Sequence, residues 1–199
     1  MNMIQENLRS KNLNPLLLCL FIILAMVSRF ALPPFLGHPD NFSPIDSIAL
    51  FSGAYFGRKW IAFLLPLFSV WVSDLVVNFQ YFHHWVWLYP GFYFQYGFYL
   101  IVVLFSSWFL QKNKAFRVPF SAVAVSIAFF LISNFGVWLG YSTYPHTLNG
   151  LILCYTAGLP FYRSTLISDL GYSIVLFGVV ELISINSKRN WIKLPFHKG

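Results

Sequence analysis

Charge is what this chain has least of. Only 10% of its 199 residues are Asp, Glu, Lys or Arg, and 6 acidic residues stand against 13 basic ones. A soluble domain carries about 25% charged residues and about 45–50% apolar ones, so a water-soluble fold is excluded. Cysteine is scarce as well. Cys19 and Cys154 both lie inside apolar runs and share no metal-ligand spacing, which leaves neither a disulfide framework nor a thiolate metal centre to read. A Walker phosphate loop, a nucleophile elbow, an HExxH pair and a haem attachment sequence are all missing. Ser, His and Asp occur, but in no spacing that selects a hydrolase. An enzyme is therefore not expected, and no cofactor or metal is called for. The net charge of +7 does not point to nucleic acid, because the Lys and Arg residues stand in short segments between apolar runs, where they set membrane topology.

Apolar residues are abundant instead. They make up 58% of the chain, aromatics alone make up 21%, and the mean hydropathy is +0.65. One crossing of a bilayer takes roughly 20 apolar residues, so a chain of this length holds about five to seven such segments and no separate soluble domain. The expected fold class is all-α: a polytopic membrane protein with six transmembrane helices plus a short interfacial or re-entrant helix near 148–161. Residues 1–14 read as a cytoplasmic N-terminal segment, 15–186 as a single integral membrane domain, and 187–199 as a basic cytoplasmic tail. The first apolar run has the outline of a signal peptide, but no small-x-small cleavage site precedes Arg29 and Pro33-Pro34 follows, so a retained helix over 15–32 is expected.

Further helices are expected near 47–57, over 60–78 with Pro66 inside, over 91–110, over 119–140 and over 165–185. The 148–161 stretch is apolar but too short to span at about 1.5 Å per residue, and Arg163 marks its expected end. Threaded as six crossings with both ends on one side, all of the 13 basic residues except Arg29 and Arg163 fall on that side. The positive-inside rule makes it cytoplasmic.

The opposite side gathers the candidate site. Arg29 ends the first helix there, with His38, Asp40 and Asp46 following, and His83, His84, Trp85 and Trp87 occupy the next outer loop. Asn134, Tyr141, Tyr144 and His146 surround the third, and Arg163 precedes the last helix. Ser-Asp-Leu occurs twice, at 73–75 and 168–170, and places Asp74 and Asp169 at matched depth, about 6 Å from the outer helix ends for Asp74. A carboxylate within a membrane helix is a functional candidate by default, although Asp74 could equally neutralise Arg29 or Arg163 as a structural pair. A two-His pair without a third ligand is weak ground for a metal. Ala49, Gly53 and Gly57 recur every four residues on one helical face, a close-packing stripe that serves either this chain or a second subunit.

The segment LFSGAYFGRKWIAFLLPLFSVWVSDLVVN (50–78) resembles the substrate-binding S components of energy-coupling-factor vitamin transporters. HPDNFSPIDSIALFSGAYFG (38–57), SDLVVN (73–78), WLYPGF (87–92), SNFGVWLG (133–140) and CYTAGLPFYRSTLISDL (154–170) also resemble uncharacterised S-component-like membrane proteins, over most of the chain beyond the first helix. The resemblance implies a six-helix capture subunit that binds a small vitamin-like molecule from outside under a capping loop. It also implies association with a transmembrane coupling subunit and two cytoplasmic ATPases. In S components the docking stripe lies on the first helix, whereas here it lies on the second. On this reading Asp74, Asn78, Asn134, Arg163 and Asp169 supply polar contacts, Trp85, Trp87 and Tyr141 stack, and Arg29 and His84 border the site. The alternative is a stand-alone transporter or channel that relays protons or cations through Asp74 and Asp169.

Overall fold

The computed structural model describes residues 15–31, 41–57, 59–111 and 114–192. Among these are six helices: α1 Pro15–Ala31, α2 Ile45–Phe56, α3 Trp60–Phe82, α4 Phe92–Phe109, α5 Lys114–Gly140 and α6 Leu148–Ile192. Four of them (α3, α4, α5 and α6) are long and apolar enough to cross a membrane. The expected terminal segment 1–14, the tail beyond 192 and most of the loop after α1 lie outside the described residues, as does Arg58.

The bundle is arranged around its shortest member. α2 has 12 residues, about 18 Å of helix, and every one except Tyr55 is buried. A helix that is apolar on all sides has no solvent face and has to be wrapped by others. α2 packs on α3, α4, α5 and α6, with α1 touching as well. Phe51 meets Phe177 of α6 edge-on at 5.4 Å between ring centroids. On the α4 side the fit is closer still, because a side chain at Gly53 would overlap the Ser106 hydroxyl and the Val103 carbonyl. Ala49 is wholly buried alongside. This stripe therefore packs inside the chain rather than facing outward. Gly57, its third member, has open space around it and a φ of +65°, so it serves the helix end and not a contact.

Polarity is inverted relative to a soluble bundle. Ser47, Ser52, Ser73, Ser106, Ser121 and Ser173 are fully buried, while Leu64, Phe68, Ile101, Trp108, Phe120 and Ile174 are exposed. Small hydroxyl residues let membrane helices approach and can bond the carbonyls of their own turn. Ser69 to Leu65 at 2.7 Å and Ser106 to Val103 at 3.1 Å do so.

α6 departs most from expectation. The interfacial helix near 148–161 is not a separate element, and the break expected around Arg163 is absent. One helix of 45 residues runs from Leu148 through Pro160 to Ile192, about 68 Å. No Gly-Pro or Asn-Gly turn signal stands at the junction, and the Thr165 hydroxyl donates to the Phe161 carbonyl at 3.2 Å across it. A lone arginine does not end a helix. At the other end of the chain's topology, Arg117 reaches back to the last turn of α4. Its guanidinium donates to the Phe109 carbonyl at 2.8 Å and lies 4.9 Å over the Phe109 ring, so a residue read as a topology signal also caps a helix.

The α2–α4 contact makes a stability prediction. Gly53→Ala should destabilise by about 1–3 kcal/mol through overpacking. Gly97→Ala, where a methyl meets nothing within 4 Å, should be neutral or gain up to about 1 kcal/mol of helix propensity. Equal melting of the two variants in detergent would remove the close approach as a determinant of the fold.

Candidate functional site

Three helices, α4, α5 and α6, and the two loop residues Asn41 and Tyr144 line a cavity of about 350 Å³. Thr147 opens α6, accepting the Gly150 N–H at 3.2 Å through its hydroxyl as an N-cap. The 141–147 turn before it is tied down by the Trp138 indole, which donates to the Pro145 carbonyl at 2.9 Å. Gly91 begins α4 in the left-handed region (φ +82°), and a side chain there would come within 3.1 Å of the Gly136 carbonyl of α5. These closures hold α4, α5 and α6 in fixed relation at the cavity end.

The cavity walls are largely aromatic. Phe129 and Phe130 come from α5, and Phe161 and Tyr162 from α6, with Phe130 and Tyr162 at 5.2 Å between centroids. Polar groups are few, and several are individually held. Gln95 accepts the Tyr89 hydroxyl at 2.6 Å through Oε1. Asn134 donates from Nδ2 to the Phe130 carbonyl at 2.8 Å, one turn back. Cys154 gives its thiol to the Asn134 carbonyl at 3.3 Å. Across from Asn134 lies Gly158, where a methyl would overlap the Asn134 amide.

A second polar centre lies at the bundle core. Asp169 of α6 is only 1% exposed and Asp46 of α2 only 4%. The Asp169 carboxyl lies within hydrogen-bonding reach of the Asp46 carboxyl and the Ser126 hydroxyl, although neither of its oxygens has a well-directed hydrogen bond. Ser47 donates to the Asp169 carbonyl at 3.0 Å and shares a 3.0 Å bond with Ser173.

The chain belongs to DUF6580, a family of unknown function. The family model matches residues 9–192, nearly the whole chain. No curated protein and no solved structure matches it.

Within this DUF6580 member the expected outer cluster is divided. Asn134 lines the cavity, with Tyr144 beside it. Tyr141 is half-buried after α5, and burial pushes its phenol above its usual range, so it remains a neutral hydrogen-bonding group. Asp169 faces Asp46 rather than Asp74. Asp74 and Asn78 are half-buried on α3, where Asp74 acts electrostatically on Tyr96 of α4. Arg163 is exposed, and the side chain of Arg29 lies outside the described residues. His84, Trp85 and Trp87 are exposed in the loop after α3. There Trp85 packs on Phe79 at 4.6 Å and Trp87 on Trp71 at 6.2 Å, so the loop folds onto α3. His83 is used as the left-handed C-cap of α3 (φ 57°), and His84 bonds the Phe82 carbonyl at 2.9 Å. No group of three or more His, Cys, Asp or Glu converges among the described residues.

Gln95, Gly158 and Tyr162 carry weight that no sequence pattern assigns them. Gln95 and Gly158 had no motif to mark them. Asp46, expected on the outer side, instead sits in the first turn of the buried α2 and faces Asp169.

The core centre makes the next prediction. Ser47→Ala strands the Ser173 hydroxyl and removes the interhelical bond to the Asp169 carbonyl, and should cost about 1–3 kcal/mol. Ser133→Ala, which gives up only a 3.5 Å contact, should change the melting temperature far less. Equal losses would mean that the Ser47 bonds do not hold α2 to α6.

Proposed function

We propose that this chain is a membrane-embedded substrate-capture subunit, binding a small molecule from the outer face in the cavity between α4, α5 and α6. One observation carries the reading: a cavity of about 350 Å³, walled by aromatic rings and furnished with a few individually oriented amides and hydroxyls. Small-molecule sites have this makeup, at about 300–1,000 Å³ with predominantly apolar walls and a handful of placed polar groups. The resemblance to S components of vitamin transporters points the same way. A coupling subunit and cytoplasmic ATPases are the partners such a subunit needs for uptake.

The topology proposed is six crossings with both ends cytoplasmic, favoured by the basic residues gathered on that side. α2, at about 18 Å, is shorter than the roughly 30 Å of a bilayer core. It crosses inside the bundle, with all of its residues but Tyr55 buried against other helices. In this threading the start of α4, the end of α5 and the first half of α6 share the outer side, together with the cavity they line.

The pair Asp46 and Asp169 favours a second reading, in which the chain moves protons. Two carboxyls this close and this buried repel when both are ionised, and a shared proton relieves that repulsion. Asp169→Asn should then abolish proton flux in liposomes loaded with a pH-sensitive dye. Absence of flux with the native protein would end this reading.

The capture reading is tested by a thermal-shift screen of the detergent-purified chain against vitamins, their precursors and divalent metals. A ligand at 100 times its dissociation constant should stabilise by about 2.7 kcal/mol. The gain should be lost in Asn134→Ala and kept in Trp85→Ala. A flat screen on a folded sample would overturn the capture reading.

A further inference from the structure

We propose that the cavity takes an uncharged, planar heteroaromatic ligand with an amide-like edge, and that Gln95 and Asn134 read that edge as donor and acceptor. The inference rests on the capture reading and adds the chemical class of the ligand. Among the described residues, the lining contains no Lys, Arg, His, Asp or Glu. A charged group entering between these walls would give up its hydration and meet no counter-charge. A neutral ring meets the opposite situation. Phe129, Phe130, Phe161 and Tyr162 present apolar faces suited to offset or edge-on packing against it.

Three amides line the cavity, those of Asn41, Gln95 and Asn134. Gln95 and Asn134 are set in complementary senses by hydrogen bonds to their own neighbours. The Tyr89 hydroxyl occupies Gln95 Oε1, which leaves the Gln95 NH₂ as the group with donors to spare. Asn134 is held the other way. Its Nδ2 donates to the Phe130 carbonyl, which leaves Oδ1 with both acceptor sites and Nδ2 with one remaining N–H. A lactam or primary amide offers a carbonyl and an N–H side by side, and it pairs with one donor and one acceptor at once. A carboxylate offers acceptors only. It can take the spare N–H groups of Gln95 and Asn134 but leaves Asn134 Oδ1 facing an acceptor with no donor.

Gly158 maintains this arrangement. Its missing side chain is what gives the Asn134 amide its place, since a methyl there would overlap both Oδ1 and the carbon that bears it. The overlap is with the end of a side chain, so Gly158→Ala displaces the amide and leaves the helix intact. That makes it a specificity variant that does not depend on unfolding.

The experiment is equilibrium dialysis and thermal shift on the full chain in detergent, with matched neutral and anionic probes. Nicotinamide is paired with nicotinate, and quinoline-3-carboxamide with quinoline-3-carboxylate, alongside the hits of the wider screen. Neutral amides should bind at least tenfold more tightly than their carboxylates, and Gly158→Ala and Asn134→Ala should each erase that preference while circular dichroism is unchanged. Binding led by carboxylates, and still weakened by Gly158→Ala, would overturn the ligand class and leave the capture reading standing. A neutral ligand indifferent to both variants would overturn the assignment to Gln95 and Asn134. No binding by any probe or screened compound to a folded sample would overturn the capture reading and the inference with it.

Discussion

The tight contact between Gly53 of α2 and the Val103–Ser106 turn of α4 governs how the rest is assembled. The Ser106 hydroxyl and the Val103 carbonyl fill the space that a side chain at Gly53 would take. In a membrane this contact gains nothing from expelling water, because lipid is as apolar as the helices, and stability comes from packing and interhelical hydrogen bonds. α2 is then held from the other side by Ser47, through its bonds to Asp169 and Ser173 of α6. With α4 and α6 fixed on opposite flanks of one short buried helix, α5 fills the remaining side, packed on α4 and α6.

That arrangement explains why the cavity lies where it does. α2 is only 12 residues long, and the helices around it have 18 to 45, so they extend beyond what α2 can fill. Past the reach of α2, the ends of α4 and α5 come together at Gly91 and Gly136. The first half of α6 leans on α5 through Cys154 and Tyr155, whose hydroxyl donates to the Leu131 carbonyl at 2.8 Å. Aromatic side chains and single amides occupy the space between. The core carboxyls Asp46 and Asp169 lie on α2 and α6, and α6 also forms one wall of the cavity.

The helix end expected at Arg163 is absent, because the type of residue at a position suggests a boundary while its partners decide it. A guanidinium is compatible with an α-helix as long as its turn has donors and acceptors in place, so the 45-residue helix runs through it. Tryptophans one turn from α3 find Phe79 and Trp71 on that helix before anything more distant. Matched depth likewise paired Asp74 with Asp169, yet depth says nothing about azimuth around the bundle. Asp169 faces α2, and Asp74 faces α4.

The all-helical fold, the membrane-type composition, most of the helix positions and the close-packing role of Ala49 and Gly53 could all be read from the sequence. Each depends on local chemistry: run length, charge scarcity, and the missing side chains of small residues on one face. Asn134 was legible as a polar residue inside an apolar helix. Which polar groups share a site was decided only by the tertiary structure, through the packing of α2 at the centre. Helix contacts between residues more than a hundred positions apart, such as Ser47 with Asp169, set the rotation of each helix about its axis. That rotation determines whether a given side chain turns toward a carboxyl, a cavity or lipid, and no local pattern encodes it.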